Sequence, residues 1–579
     1  MANYPLVVLL MTFISSTRGL EVKRIHTKLG DIVGVVEHVR NEKVYQFRNI
    51  PYAEPPTGAL RFTKPEARRA WPGTLDATRF GPSCMQILLP AYNKFLPNLN
   101  QSEDCLLLNI YVPRDMSQSS NRSVMVWIHG GSYIFGQGML YDGSYLALTG
   151  DVVVVTINYR LGVFGFLSTS STGGLRGNYG LWDQHMALQW VKDNIAAFGG
   201  NPNSVTIFGE SAGGFSVSLQ AIIPQNQGLF QRVIAQSGNA VSRFAYSSLS
   251  NMHSVAKLLG INVGCANASG IPATYKGCMR GKSAQDLLAA QNTESILTLQ
   301  PLKLDIILGP VVDYDLLQSS PDNLLKNKRT ASSQFFRSLD FMTGNVNAEG
   351  SLFLNALKSI SNYKKFNMSD GIPTDVFCGY IVPAFVNAYF GSQVNSTLPS
   401  DLICSLYGTT EEGLEGDNAI DVYSDVFFIA PAIQSLMTHS EDNVQTSSYQ
   451  YIFKRPAPGP KFQAYPPWWR NDSSAHGSEV VFLFGLEDYP TKLNISVSPT
   501  DLSLSKTMLK YWTNFAKTGN PNSNDVPVWG AYDVVQQSYI DLNTTITSGR
   551  HLYGEWINLW LERLPKLFDT SNPGGAIGK

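Results

Sequence analysis

The 579-residue chain has few charged residues, few cysteines and no excess of either charge. Charged residues make up 15% of the sequence, with 44 Lys and Arg against 45 Asp and Glu, so the formal net charge is −1. This balance excludes a strongly basic nucleic-acid-binding protein and an acidic tail protein. Because hydrophobic residues make up 44% and aromatic residues 11% of the chain, it can bury a large core, which excludes disorder along its whole length.

Long apolar runs are also absent after the N-terminus. No run there reaches the ~18 uncharged apolar residues of a membrane-spanning helix, so no transmembrane segment is predicted. The run at 5–14, PLVVLLMTFI, is too short to span a bilayer, and Thr17 and Gly19 supply small residues before a cleavage site at Leu20. This pattern is typical of a signal peptide over residues 1–19, so we expect a secreted, extracellular protein.

The six cysteines are too few for a disulfide scaffold, but they lie in close pairs along the chain. In the oxidising compartment that a signal peptide leads to, each loop closure stabilises a fold by about 2–4 kcal/mol. Spacing alone does not fix the connectivity, so pairing of neighbours is an inference. The expected disulfides are Cys84–Cys105, Cys265–Cys278 and Cys378–Cys404.

Eight Asn-x-Ser/Thr sequons follow the predicted signal peptide. A single sequon often arises by chance, but eight in an exported chain suggest that several carry sugar on surface loops. The candidate glycosylation sites are Asn100, Asn121, Asn267, Asn367, Asn395, Asn471, Asn494 and Asn543.

Short apolar runs alternate with helical stretches in the first half of the chain. VMVWIHGG (124–131) and VVVVTINYR (152–160) are typical of buried strands, and LWDQHMALQWVKDNIAAFGG (181–200) has helical spacing that ends at two glycines. SVTIFGESAGG (204–214) predicts a strand, a sharp turn and the start of a helix. This alternation predicts an α/β fold with a large, mostly parallel central sheet and helices on both faces.

The second half mixes helices and loops. VVFLFG (480–485) predicts a late strand, and LSKTMLKYWTNFAKTG (504–519) predicts a late amphipathic helix. The chain has no internal repeat, no Ser/Gly linker and no break in composition. We therefore predict one domain over residues 20–565, followed by a short C-terminal tail at 566–579.

A nucleophile motif lies in the predicted strand–turn–helix unit. Residues 209–213, GESAG, match G-x-S-x-G, and the strand before them and the helix after them are the setting of a nucleophile elbow. Such a turn lifts a serine hydroxyl, here that of Ser211, above the edge of the sheet. The alternative is an ordinary tight turn that happens to hold a serine.

Oxyanion donors are predicted at two places. The segment 129–132, HGGS, follows the predicted strand VMVWI and suits a loop whose backbone N–H groups, those of Gly131 and Ser132, stabilise an oxyanion. The N–H of Ala212, directly after the nucleophile, is the second source. The alternative for residues 129–132 is an ordinary glycine-rich loop that leaves the strand and binds no oxyanion.

Four long segments stand in order along the chain: EDCLLLNIYVP (103–113), NYRLGVFGFLS (158–168), GNYGLWDQHMALQWVKDNI (177–195) and FGGNPNSVTIFGESAGG (198–214). Together they resemble the type-B carboxylesterase/lipase family, which includes carboxylesterases, cholinesterases and bile-salt-activated lipase. The resemblance covers most of the chain and implies the α/β-hydrolase fold and a serine esterase activity. Ser132 replaces the Gly or Ala that is usual in the family, but only its backbone N–H is needed.

The resemblance also implies the other two catalytic residues. The order in this fold is serine, acid, histidine. His476, in AHGSEVVFLFG before the predicted late strand, matches the family's histidine motif, whereas His439 is predicted at an exposed helix end and His551 in a surface turn. Glu349, in TGNVNAEGSLFL, stands at the family's acid position. A solvated surface glutamate is the alternative for Glu349.

The loop between Cys84 and Cys105 bears on the substrate. In cholinesterases this loop carries a tryptophan that binds the choline cation, but here it reads MQILLPAYNKFLPNLNQSED and has none. Its apolar residues favour an uncharged small-molecule or lipid ester. The short stretch at 133–143 and the absence of Pro-rich C-terminal repeats argue against bile-salt dependence.

Two alternative functions stay open. One is a cholinesterase-like hydrolase of choline esters. The other is a non-catalytic adhesion protein like the neuroligins, which keep the fold, lose the catalytic serine and add a transmembrane helix. Retention of Ser211, Glu349 and His476 favours an enzyme. The sequence has no metal-ligand cluster, phosphate loop or haem motif, so no metal, cofactor or nucleic-acid partner is expected.

Overall fold

The computed structural model describes most of the predicted domain. The described ranges are 21–87, 100–169, 173–293, 307–367, 371–391, 395–408, 415–458, 473–486 and 496–571. Several predicted features lie outside them: the signal peptide, the centre of the first cysteine loop at 88–99, the sequons Asn471 and Asn494, and residues 572–579 of the predicted tail.

Most of the described strands form one 13-stranded mixed sheet, and β5 and β6 form a separate pair. The strands are β1 (Val22–Thr27), β2 (Gly30–Val39), β3 (Glu42–Pro51), β4 (Thr74–Ala77), β5 (Ser83–Cys84), β6 (Gln101–Ser102), β7 (Leu107–Pro113), β8 (Arg122–Ile128), β9 (Val153–Ile157), β10 (Gly200–Glu210), β11 (Arg232–Gln236), β12 (Asp340–Val346), β13 (Ser448–Phe453), β14 (Ser538–Leu542) and β15 (Thr547–Arg550).

The centre of the large sheet is parallel and its ends are antiparallel. The order is β1-β2-β3-β7-β9-β8-β10-β11-β12-β13-β14-β15, with β4 beside β2. In this order, every pair of neighbours from β9 through β8 to β14 is parallel. The neighbours from β1 to β9 at one end of the sheet, and β14 with β15 at the other, are antiparallel. The prediction of a mostly parallel central sheet is confirmed, and the antiparallel ends are additional to it.

Both faces of the sheet are buried. In β8, Val124, Val126 and Ile128 belong to one hydrophobic cluster, while Met125 and Trp127 belong to another. Because successive side chains point to opposite faces of a strand, each cluster lies on its own face. A strand buried on both sides has a continuous apolar sequence, which is why the run VMVWI predicts this strand correctly.

Helices cover the two faces. The α-helices are Ser144–Gly150, Gly162–Phe166, Tyr179–Asn194, Ala212–Gln220, Leu249–Asn262, Tyr275–Arg280, Ala284–Gln291, Pro321–Lys326, Ala331–Arg337, Leu354–Lys364, Thr374–Val376, Val382–Phe390, Thr397–Tyr407, Glu415–Ser424, Ala430–Ser440, Val480–Leu483, Pro499–Thr518, Gly554–Asn558 and Leu564–Ser571. π-Helical turns lie at Phe377–Ile381, Asp425–Ile429 and Leu559–Arg563. The 3₁₀ turns are Gly58–Leu60, Gln118–Ser120, Gly138–Leu140, Ile195–Phe198, Pro224–Asn226, Arg243–Ala245 and Glu349–Phe353.

The predicted strand at 480–485 is wrong. Val480–Leu483 is a short helix, and the Ser505 hydroxyl of the helix Pro499–Thr518 donates to the Phe482 carbonyl at 2.6 Å. A short apolar run fits a buried helical turn as well as a strand, and here the run packs against a helix instead of joining the sheet. The predicted helix at 504–519 is present and ends at Gly519 in the left-handed conformation.

The predicted exposure of His439 is also wrong. His439 lies in the last turn of the helix Ala430–Ser440, but it is completely buried. Its Nδ1 is 2.7 Å from Ser448 Oγ, and its Nε2 is 2.8 Å from the Leu339 carbonyl oxygen. Burial lowers its pKa to about 4, so His439 is a neutral part of the core. His551 is exposed, in a turn with φ 53°.

The structure contains three disulfides. Cys84–Cys105, Cys265–Cys278 and Cys378–Cys404 have Cα–Cα distances of 5.0, 5.6 and 5.7 Å, within the usual range for this bond. The third joins the π-helical turn Phe377–Ile381 to the helix Thr397–Tyr407.

One helical run in the described ranges, Asp417–Ser440, is long and apolar enough to cross a membrane by length and composition alone. However, 83% of its most apolar window is buried inside the fold. Core helices pass the same test, so this run is weak evidence for a membrane span.

Candidate active site

The predicted nucleophile lies on a tight strand–turn–helix unit. β10 ends at Glu210, Ser211 has φ 58° and ψ −123°, and the helix Ala212–Gln220 begins directly after it. The turn needs glycines because a Cβ atom at Gly209 or Gly213 would lie 2.4 or 2.0 Å from the Ile128 carbonyl oxygen. Strained backbone of this kind is typical of functional sites and matches the geometry of a nucleophile elbow.

The loop after β8 lies against this elbow. A Cβ atom at Gly130 would come within 3.1 Å of Ser211 Cβ, and Gly131 and Ser132 both have positive φ, 110° and 53°. Within the described part of the chain, the N–H groups of Gly131, Ser132 and Ala212 donate no hydrogen bond. Free backbone donors beside a nucleophile can stabilise an oxyanion.

Glu349 and His476 form a hydrogen-bonded pair. Glu349 opens a 3₁₀ turn just after β12 and is completely buried. The His476 Nδ1 donates to Glu349 Oε2 at 2.5 Å. The other oxygen, Oε1, accepts from the Val346 N–H at 3.0 Å and the Asn345 side-chain amide at 3.2 Å. The hydrogen bond to Nδ1 therefore fixes the orientation of the imidazole, and Nε2 takes no part in it.

The loops that carry the pair are braced against their neighbours. The His476 N–H donates to Ser351 Oγ at 3.2 Å. The Gly350 N–H donates to Ser424 Oγ at 2.8 Å, and a Cβ atom on Gly350 would lie 2.0 Å from the Ile420 carbonyl oxygen. The helix Glu415–Ser424 thus packs directly on the acid loop.

The Nε2 atom of His476 lies beside a second carboxylate. Its distance to Glu210 Oε1 is 3.3 Å, and Nε2 makes no hydrogen bond to the described residues, the Ser211 hydroxyl included. Contacts between a base and its nucleophile often tighten only when substrate is bound. Glu210 Oε1 therefore lies beside the nitrogen that would accept the serine proton.

Three buried carboxylates surround this one imidazole. Burial disfavours the imidazolium, but the charges of Glu210 and Glu349 and the hydrogen bond to Glu349 outweigh it and raise the pKa of His476 to about 9. Burial raises the pKa of Glu210 to about 7. Burial and the charge of Glu210 raise the pKa of Glu479 to about 8. The pKa values of His476, Glu210 and Glu479 are therefore all higher than those of isolated side chains.

Two residues of this site are not identified by the sequence analysis. Glu479 is completely buried and accepts from the Gln236 side chain at 3.3 Å; its position three residues after His476 is the only sequence signal for it. The Phe428 ring centroid is 5.2 Å from that of His476. Phe428 carries no local motif, because a contact between distant segments brings it there.

The remaining predicted residues lie away from this cluster. Among the described sequons, Asn543 is half-buried, and the exposed ones are Asn100, Asn121, Asn267, Asn367 and Asn395. Within the described ranges, no group of three or more His, Cys, Asp or Glu side chains could hold a metal ion.

Comparison with known proteins identifies the family. The sequence model of the carboxylesterase family matches residues 21–560. Acylcarnitine hydrolase from Mus musculus is 36% identical over 554 residues, which cover 93% of this chain and 91% of the relative. Acetylcholinesterase from Bungarus fasciatus is 32% identical, covering 95% and 88%. Neuroligin-2 from Mus musculus is 32% identical, covering 94% and 68%. With its mixed sheet, helices on both faces and a match over nearly its whole length, the chain belongs to the carboxylesterase family and has the α/β-hydrolase fold.

Proposed function

We propose that this protein is a serine carboxylic-ester hydrolase that works through an acyl-enzyme on Ser211. The observation that carries the proposal is the buried Glu349–His476 pair, with its 2.5 Å hydrogen bond, next to a serine on a strained elbow. A free serine hydroxyl is a weak nucleophile and needs an adjacent, oriented base. The esterases among the relatives support the same class of reaction.

The proposed reaction uses each group in turn. His476 Nε2 accepts the Ser211 proton as the hydroxyl oxygen attacks the ester carbonyl carbon, and Glu349 stabilises the imidazolium. The N–H groups of Gly131, Ser132 and Ala212 bind the oxyanion. The alcohol leaves with the proton from His476. Water then attacks the acyl carbon and gives one proton to His476. The bond between that carbon and Ser211 Oγ breaks, His476 returns the proton to Oγ, and the carboxylic acid leaves.

Similarity to neuroligin-2 keeps a non-catalytic function as the second candidate, and an active-site probe separates the two. A fluorophosphonate reacts with an activated serine and leaves an unactivated one unmodified. We expect one probe molecule per chain, attached to the peptide that contains Ser211. Absence of labelling in folded protein would favour the binding function.

For the substrate, we propose uncharged or lipidic esters. A choline headgroup needs an aromatic face, best supplied by tryptophan, and the sequence of the first cysteine loop contains none. Glu210 could attract a cation, but it already pairs with His476 at 3.3 Å. The apolar composition of the loop suits a neutral group better than a charged one.

Comparison of butyrylcholine with its neutral 3,3-dimethylbutyl analogue tests this substrate class. A strong cation–π site contributes up to ~2 kcal/mol, about thirtyfold in binding. We expect kcat/KM for the choline ester to show no advantage over the neutral ester. A preference of about tenfold or more for choline would mean that aromatic residues elsewhere in the chain bind the cation.

We also propose that the protein is exported and glycosylated. The three disulfides and the exposed sequons support this, because disulfides persist in oxidising compartments. Peptide mapping of protein collected from the medium of a eukaryotic host should find sugar on exposed sequons and no free thiols. Retention of the unprocessed chain inside the cells would contradict the proposal.

A further inference from the structure

A buried aspartate lies at the start of the π-helical turn behind the site. The helices Glu415–Ser424 and Ala430–Ser440 are joined by the turn Asp425–Ile429. The Ala430 N–H donates to the Asp425 carbonyl five residues earlier, which defines a π-helical bond. Asp425 is 4% exposed, and an ionisable group is rarely buried so fully without a partner.

The partners of Asp425 come from distant segments. Tyr407, at the end of the helix Thr397–Tyr407, donates its hydroxyl to Asp425 Oδ2 at 2.6 Å. The Trp560 indole N–H donates to the Tyr407 oxygen at 2.8 Å. Burial raises the pKa of Asp425 well above its usual value, which favours the neutral, hydrogen-bonding form of this side chain. The Cys378–Cys404 disulfide anchors the Tyr407 helix one turn earlier.

The turn and the residue just before it contact the loop of Glu349 and the ring of His476. On one side, Ser424 holds the acid loop through the Gly350 N–H at 2.8 Å. On the other side, the Phe428 ring packs against the His476 ring with centroids 5.2 Å apart. Ser424 therefore holds the residue next to Glu349, and Phe428 contacts His476, from the two flanks of Asp425.

A π-helical turn holds one extra residue, and each residue advances an α-helix by about 100°. If the extra residue moved along the helix, or if the turn became regular α-helix, Phe428 would rotate away from His476. Ser424 would keep its contact with the loop that carries Glu349. The Phe427 carbonyl, which accepts from the Ser242 hydroxyl at 2.6 Å, is a second anchor. Asp425 is the anchor at the start of the turn.

We propose that Asp425 is a positioning residue for the catalytic histidine: held by Tyr407 and Trp560, it fixes the π-helical turn so that Phe428 keeps the His476 imidazole in place. This inference rests on the proposed role of His476 as the general base. It assigns a function to a buried polar network that touches no reacting atom.

The network is tested with variants of the full-length protein. Asp425→Leu removes the acceptor and Tyr407→Phe removes the donor, while Asp425→Asn keeps a neutral acceptor of the same shape. Tyr275→Phe is the matched control, because Tyr275 is also completely buried and its hydroxyl donates a single bond, to the Ala256 carbonyl at 2.6 Å, in a separate hydrophobic cluster. Active sites are counted by fluorophosphonate titration, so that kcat refers to folded enzyme.

We expect Asp425→Leu and Tyr407→Phe to lower kcat about 10- to 100-fold, the scale of a small misplacement of a catalytic group, with KM unchanged. The double variant should lose no more than either single variant, because both break one network. Asp425→Asn and Tyr275→Phe should keep the wild-type kcat. The acid limb of the pH–rate profile should also move to higher pH in Asp425→Leu and Tyr407→Phe. Burial disfavours the imidazolium form of His476, and that burial is reduced when Phe428 moves away, so the pKa of His476 rises.

A kcat for Tyr407→Phe equal to that of Tyr275→Phe would overturn the proposal, whether or not Asp425→Leu folds. An Asp425→Asn variant as slow as Asp425→Leu would also contradict it, since the proposed role needs no charge. These failures differ from a failure of the proposed function. If Ser211→Ala removes activity and the network variants do not change kcat, the esterase assignment stands and only the role of Asp425 is wrong.

Discussion

Replacement of Ser211 by alanine should remove nearly all ester hydrolysis and leave the fold intact. Loss of the nucleophilic serine in another serine hydrolase costs about 10⁶-fold in kcat, and we expect a fall of that order with p-nitrophenyl butyrate. The residual rate would come from the oxyanion donors and substrate binding alone.

The alanine variant is a clean test because it changes little else. Ser211 has a positive φ of 58°, which is equally unfavourable for serine and alanine. The variant also adds no atom to a turn in which a carbonyl group already approaches the flanking glycines closely. Its melting temperature should stay near that of the wild type, and fluorophosphonate labelling should disappear. Substantial turnover by folded Ser211→Ala protein would refute the assignment of the nucleophile.

The nucleophile elbow could be predicted from sequence because its determinants are local. A β-branched run, a serine and the glycines on both sides of it stand within residues 204–214, and the structure forms β10, the turn and the helix over the same span. Similarly, the apolar run of β8 predicts a strand buried on both faces. Local sequence is therefore enough to predict both the elbow and β8 without knowledge of tertiary contacts.

The rest of the site depends on contacts between distant segments. Glu349 is one of many carboxylates between Ser211 and His476, and only resemblance to a family selects it. The π-helical turn that brings Phe428 to His476 depends on two hydrogen bonds between distant residues. Tyr407 is 18 residues from Asp425, and Trp560 is 153 residues from Tyr407. His439 shows the same limit, because its burial follows from contacts with Leu339 and Ser448 and not from its helix end.

Replacement of Glu349 by glutamine should have the second large effect on the rate. The Oε1 position of Glu349 accepts two N–H groups, from Val346 and Asn345, so the amide oxygen of glutamine takes that position. Its NH₂ group then faces His476 Nδ1 and requires an acceptor there. The imidazole proton must move to Nε2, which makes His476 unable to accept the serine proton. The same change of tautomer in a serine protease lowers kcat about 10⁴-fold, and we expect a loss of that size.

The pH dependence distinguishes this effect from a simple loss of charge. His476 must be neutral to act as a base, and the carboxylates stabilise its charged form and raise its pKa to about 9. Loss of the Glu349 charge lowers that pKa, so the acid limb of the pH–rate profile should move to lower pH in Glu349→Gln.

Glu479→Gln is the matched control: it also removes a charge that raises the pKa of His476, but no hydrogen bond joins Glu479 to the imidazole. That variant should shift the limb in the same direction and keep most of kcat on the alkaline plateau. A Glu349→Gln variant that recovers the wild-type rate at high pH would show that charge alone, and not the tautomer, is what Glu349 provides.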